Sequence, residues 1–258
     1  MNAGRNEVIY GRNPVLEVLK ARRRHVEALQ LAQGAEVRGT LADLIDLAQA
    51  HSIPVENIGR DELDQLGVNH QGIAAVVSPY PYAELAAILE RAGDADPHAL
   101  VLLLDALQDP QNLGTLLRTA EAVNVCGVIM PGHRSASVTP AVVRASAGAS
   151  EHLLIAQYNL VQAMDALKEN GFWIAGLERV PEARPLADAP LGGNLAIVVG
   201  SEGSGMRRLV RESCDFLVGI PMYGRIESLN AAVAGSLVLY AARERQGSNH
   251  IDATPESW

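Results

Sequence analysis

Cysteine is nearly missing from this chain: Cys126 and Cys214 are the two among 258 residues, far apart and outside any CxxC spacing. That excludes a disulfide framework, indicates no zinc site and leaves both residues as expected core thiols. Long hydrophobic runs are missing too. The longest, "ALVLLL" at 99–104, is stopped by Asp105 and falls far short of the roughly 18 residues of a membrane span. The opening "MNAGRNEVIYGRNP" lacks the apolar stretch that a signal peptide needs. These absences point to a cytoplasmic protein with no membrane partner. Net basic charge is also lacking, and a formal charge of -9 argues against a protein that coats nucleic acid without selectivity. There are no internal repeats or low-complexity tracts, and the tail "QGSNHIDATPESW" reads as frayed.

What is present is a core. With 48% hydrophobic residues over this length, the chain can fill one large domain or two modest ones. From 13 to 77 the pattern predicts a helix over "NPVLEVLKARRR", a strand "VEALQLA", a helix "TLADLIDLAQAH", a short strand near Ile53 to Val55, a short helix from Asp61 and a strand "GIAAVV". This is a small α/β domain over 1–78. Closely spaced prolines in "SPYPY", a helix to Arg91 and the polar "AGDADPH" make 79–98 a connection. From 99 to 258, strands "ALVLLLD", "GVIM", "HLLI", "FWIAGL", "LAIVVG" and "FLVGI" alternate with helices near 113–124, 139–148, 160–170, 205–213 and 228–245. Continuous apolar strands between amphipathic helices predict a mostly parallel sheet with helices on both faces. Ligands in such folds lie beyond the carboxyl ends of the strands.

Three strand ends carry unusual chemistry: "LLLDALQDPQNLGTLLR", "VVGSEGSGMRRL" and "GIPMYGRIESLNAAVAGS". They offer Asn112, Arg118, Glu202, Ser228 and Asn230, with backbone amides freed by Gly114, Gly200, Gly203 and Gly205. The "GSEGSG" segment has neither the lysine of a P-loop nor the GxGxxG of a dinucleotide fingerprint, so a kinase or dehydrogenase is disfavoured. Taken alone it fits a tight structural turn equally well. Asn112 alone reads as a helix N-cap, Gly114 as relief of crowding in the first turn, and Arg118 as a snorkelling side chain. The recurrence of such polar residues at three ends of one sheet favours a site.

In order and spacing, "NLGTLLRTAEA", "VVGSEGSGMRRL" and "IPMYGRIESLNAAVA" resemble the three motifs of the SpoU/TrmH ribose 2'-O-methyltransferases of the SPOUT superfamily, over about 99 to 245. The stretches "VIYGRNPVLEVL" and "HQGIAAVV" resemble the small L30-like substrate-binding domain of the branch that methylates a guanosine of 23S ribosomal RNA. The resemblance implies S-adenosylmethionine as methyl donor, a C-terminal trefoil knot and a homodimer. Matching positions put the cofactor against backbone around Gly200, Ile220 and Leu229, with Val199, Gly205, Met222 and Ser228 completing the contact set. The catalytic set it implies is Asn112, Arg118, Glu202, Ser228 and Asn230.

Methyl transfer to a ribose 2'-oxygen needs orientation and either a base or positive charge at the developing alkoxide. Guanidinium groups stay protonated in proteins, so Arg118 is expected to grip the target phosphate and stabilise the oxyanion while the proton leaves through that phosphate or water. Asn112 and Asn230 suit fixing the ribose or the arginine. Glu202 suits pairing with Arg118 or orienting its loop, the alternative being a solvated carboxylate. Arg22, Arg23, Arg207, Arg208 and Arg211 are the candidate RNA contacts, with solvated or dipole-favoured helix ends as the alternative. A transfer-RNA substrate, or a non-catalytic RNA-binding protein on the same fold, stands behind the ribosomal RNA reading.

Overall fold

A computed structural model describes residues 6–246 apart from 68, 96 and 134, and most of the tail read as frayed lies outside them. In chain order the first elements are β1 (Glu7–Tyr10), α1 (Arg12–Ala21), β2 (Val26–Ala32), α2 (Thr40–Ala50), β3 (Val55–Ile58), α3 (Arg60–Asp64) and β4 (Ile73–Val77). There follow α4 (Leu85–Asp94), β5 (Leu100–Leu104), α5 (Pro110–Ala122), β6 (Gly127–Met130), α6 (Pro140–Ala145), a 3-10 turn (Ala149–His152), β7 (Ile155–Gln157) and α7 (Leu160–Glu169). The chain continues through β8 (Trp173–Leu177), β9 (Arg184–Pro185), β10 (Leu195–Val199), α8 (Arg208–Glu212), β11 (Phe216–Gly219) and α9 (Ala231–Arg245).

Two compact units result. One comprises 6–83 with 107–122 and 132–154, the other 84–106 with 123–131 and 155–246. In the first, the four strands run in the order β1-β4-β2-β3, antiparallel except for β2 beside β3. Helix α1 turns Pro14, Val15, Val18 and Leu19 inward, at the three- and four-residue spacing of an amphipathic helix. The unit also holds α5 and α6, which pack on each other.

The second unit is built on a seven-stranded sheet in the order β7-β6-β5-β10-β8-β11-β9, parallel throughout. The neighbours β5 and β10 are buried at every residue, as a strand covered on both faces requires. Because β10 follows β8 in the chain but inserts between β5 and β8, the ends of β8, β10 and β11 open together.

Some elements differ from the sequence expectation. Strand β1 was not expected: its four residues bury only Ile9 fully, and pairing with β4 (Glu7 to Val77, Tyr10 to Ala74) is what makes it a strand. The strand expected at 53–55 lies at Val55–Ile58, where it pairs with β2. "HLLI" divides, its start closing the 3-10 turn and Ile155 opening β7. The helix expected up to Arg91 in the 79–98 connection is present as α4 and runs on to Asp94, packing on β6.

Candidate active site

At the carboxyl ends of β8, β10 and β11 the second unit forms an open cavity of about 570 Å3. Val199, Gly200, Gly205, Ile220, Met222, Ser228 and Leu229, the residues expected around the cofactor, all line it. So do Glu202 and Asn230. Leu177 at the end of β8, and Glu178 and Arg179 just beyond it, were not foreseen. The ordinary strand "FWIAGL" gives no signal that its end joins this wall.

The "GSEGSG" segment folds as a tight turn. Ser201 and Gly205 exchange backbone hydrogen bonds of 3.0 Å in each direction, and the Ser201 and Ser204 hydroxyls lie 2.6 Å apart. Gly203 and Gly205 have φ of +82° and +66°, the left-handed region that a side chain resists. Glu202 sits within the turn, and its carboxylate accepts from Asn230 Nδ2 at 2.8 Å. Asn230 is also the N-cap of α9, its Oδ1 accepting from the backbone of Ala232 at 2.9 Å and Val233 at 3.2 Å. One amide thus joins the glycine turn to the start of α9.

The return leg of the turn has its own anchor. Asp105, fully buried at the end of β5, accepts from the Arg207 backbone at 2.7 Å and from its Nε at 2.6 Å. The sequence shows Asp105 only as the residue that stops an apolar run, so this role was missed. Arg208 pairs with Glu212 at 3.0 Å, and Arg211 with Glu178 at 3.1 Å and with Glu182. Of the five arginines expected at RNA, these three are therefore ion-paired, with Arg207 and Arg208 the more exposed.

Asn112 and Arg118 lie on α5, in the first unit. The N-cap role falls to Asp109 rather than to Asn112: Asp109 accepts from the backbones of Gln111 and Asn112 at 3.2 Å each, and Pro110 occupies the first helical position. Asn112 is buried inside the first turn. Gly114 answers crowding from a neighbour rather than within its own turn, because a Cβ there would fall 2.4 Å from Ala145 Cβ of α6. Arg118 is exposed and makes no ion pair or hydrogen bond among the described residues. Arg22 is an exposed left-handed C-cap of α1. Arg23, by contrast, spends its guanidinium on the carbonyls of Leu153 and Pro81 and on the Tyr80 hydroxyl, which makes it a brace.

Two family models match the chain: the SpoU rRNA Methylase family over residues 99–240, and RNA 2'-O ribose methyltransferase substrate binding over 8–83. A protein of Staphylococcus saprophyticus named for the TrmH family of tRNA/rRNA methyltransferases is 41% identical over 235 residues, covering 90% of this chain and 93% of its own length. Among solved structures, the SpoU methyltransferase AviRb from Streptomyces viridochromogenes, in complex with its cofactor AdoMet, shares the fold. Its TM-score is 0.77 at 24% identity, with 95% of this chain and 92% of that one covered. An RNA 2'-O ribose methyltransferase is similar at a TM-score of 0.75 and 26% identity, over 94% and 89% of the two chains.

Proposed function

The chain belongs to the SpoU rRNA methylase family, and on that footing we propose that it transfers a methyl group from S-adenosylmethionine to the ribose 2'-hydroxyl of a guanosine in 23S ribosomal RNA. The observation that carries the reading is the cavity at the ends of β8, β10 and β11. Its volume lies within the about 300–1,000 Å3 of small-molecule sites. Leu177, Val199, Ile220, Met222 and Leu229 supply an apolar wall for a purine, the glycine turn supplies backbone amides, and Glu178 and Glu202 supply negative charge suited to a sulfonium and an ammonium. S-adenosylmethionine, when bound, supplies an electrophilic methyl group.

The chain's own residues then have three tasks. Asn230 and Glu202 hold the glycine turn against the start of α9 and so shape the cavity. Arg118, a cation with no protein partner among the described residues, grips the target phosphate and stabilises the oxyanion as the hydroxyl loses its proton to that phosphate or to water. Asn112, on the same helix as Arg118, helps to fix the arginine, and Ser228 stands in the cavity wall. The first unit, with exposed Arg22, receives the RNA, and Arg207, Arg208 and Arg211 add phosphate contacts.

A homodimer is part of the reading, supported by the exposed apolar stripe Val233, Leu237 and Tyr240 on α9. So is the trefoil knot, which rests on membership of the family; Arg243 of α9 donates to the carbonyls of Val123 and His98 and so holds the last helix beside the starts of β6 and β5. A cytoplasmic setting belongs to the same reading. The relative's name spans transfer and ribosomal RNA, so a transfer-RNA acceptor is the second reading.

The test is methyl transfer from labelled S-adenosylmethionine to RNA lacking its modifications, with the product nucleoside mapped by mass spectrometry. We expect 2'-O-methylguanosine in 23S RNA, reduced about 100-fold or more in Arg118→Ala, the scale of one lost oxyanion contact. Arg118→Lys should retain part of the activity. A product in transfer RNA would move the acceptor, and a basic limb of the pH profile that shifts with residue 118 would overturn the charged-arginine mechanism.

A further inference from the structure

Arg24 has no exposed side-chain surface, and it is bound on every side. Its Nε and Nη2 donate to the two carboxylate oxygens of Glu151 at 2.9 and 3.0 Å, and its Nη1 donates to Glu7 at 2.6 Å and to the Ser78 carbonyl at 3.2 Å. The guanidinium carbon stands 4.9 Å from the centre of the Tyr80 ring, and the Tyr80 hydroxyl donates to the Ser150 carbonyl at 2.8 Å. Glu151 is 1% exposed. Burial pushes its carboxyl above the ordinary range while the Arg24 charge pulls it back.

The same short segment is gripped at three further points. Glu17 of α1 meets His152 Nε2 at 2.8 Å. A Cβ on Gly148, whose φ is +90°, would stand 2.6 Å from the Glu17 Cβ, so the chain passes α1 at a distance that only glycine permits. Arg144 of α6 bonds the Tyr10 hydroxyl of β1 and lies over its ring. Residues 144–153 are thus fixed to β1, α1 and the 78–81 stretch.

That segment also carries α5. The Cβ missing at Gly114 would meet Ala145 Cβ at 2.4 Å and the Ala145 carbonyl carbon at 2.8 Å, and α5 packs on both α6 and the 3-10 turn. Leu113, Leu116 and Leu117 are fully buried and Arg118 is left exposed. Stability alone does not call for an ion pair here, since apolar residues of similar volume commonly serve a buried site as well or better. A bidentate pair held from both sides does fix one geometry.

Resting on the role given to Arg118 above, we propose that Arg24 and Glu151 are positioning residues for methyl transfer. Their pair sets segment 144–153, and through it the presentation of Arg118 by α5, to the strands that receive the RNA. Docking of RNA and placement of the arginine are then one event, while the cofactor cavity, in the other unit, is independent of it.

The decisive variant is Arg24→Met with Glu151→Leu in the full chain, which removes both charges at similar volume. We expect affinities for S-adenosylmethionine and RNA to stay within about twofold, with the single-turnover rate on pre-bound RNA falling at least about tenfold, the cost of a misplaced reacting group. A folded double variant with the wild-type rate overturns the proposal and leaves the pair merely structural. Should the double variant fail to fold, Glu17→Gln weakens the half-exposed contact to His152, and an about threefold slower rate at unchanged Tm is expected. An unchanged rate there overturns the proposal. Arg118→Ala is measured alongside: wild-type activity in it overturns the reading on which the proposal rests, whereas an inactive Arg118→Ala beside a fully active double variant overturns the positioning alone.

Discussion

A methyl group added at Gly200 would stand 2.4 Å from the carbonyl carbon of Gly205 and 2.5 Å from the Met206 nitrogen. Both are backbone atoms, so the turn has to open to accept it. We expect Gly200→Ala to weaken S-adenosylmethionine binding by about tenfold or more, equivalent to about 1.4 kcal/mol, as read by calorimetry. Undiminished affinity would show that the closed turn is not what holds the ligand. Gly200, Glu202 and Asn230 could be picked out from the sequence because glycine, carboxylate and amide stand at fixed spacing after apolar strands. Asp105 and Arg24 could not. An aspartate ending an apolar run and an arginine ending a helix look solvated, and only their partners, Arg207 and Glu151, far along the chain, show them to be buried anchors.

Helices were easier to read than short strands, and the reason is the number of residues that vote. In α1 and α7 the apolar spacing persists over ten residues, with Asn159 capping the second by accepting from Gln162. In β1 and β9 only four and two residues are available, and pairing decides them. Helix α8 is shorter than its arginine-rich sequence suggests because the turn through Gly205 consumes its expected start. Helix α9 bears Val233, Leu237 and Tyr240, 47%, 46% and 51% exposed, at spacings of four and three that place them on one face. If this stripe is the dimer contact, the wild type runs at twice the chain mass in light scattering and Leu237→Asp runs as a monomer with its cofactor affinity retained. A monomeric wild type, or a dimeric variant, would remove the stripe from that role.

On the scale of the whole molecule, the buried Tyr80 and the half-buried Cys214, which unlike Cys126 is not the core thiol expected of it, tie stability to alkaline pH. Burial raises the Tyr80 phenol from 10.0 to about 12, with Arg23 opposing the shift. Burial, with Asp215 adding to it, raises the Cys214 thiol from 9.0 to about 12. Each favours the folded state in its neutral form, so its contribution is complete below its unfolded value and is lost as pH rises through about 12. Tyr80 alone contributes a slope of about 1.4 kcal/mol per pH unit between pH 10 and 12. Urea unfolding across that interval should show a shallower decline in Tyr80→Phe than in the wild type, and equal slopes would mean that the phenol ionises freely in the folded chain. By itself the sequence determined the fold class, the parallel sheet and the glycine turn at its strand ends, because apolar runs, helical spacing and glycine turns act over a few residues and leave their pattern in order. Tertiary structure alone decided which unit carries α5 and which arginines are spent on the protein. Those outcomes depend on the approach of segments distant in sequence, such as Gly114 on Ala145 and Arg24 on Glu151, where contact distance and burial determine the role of each side chain.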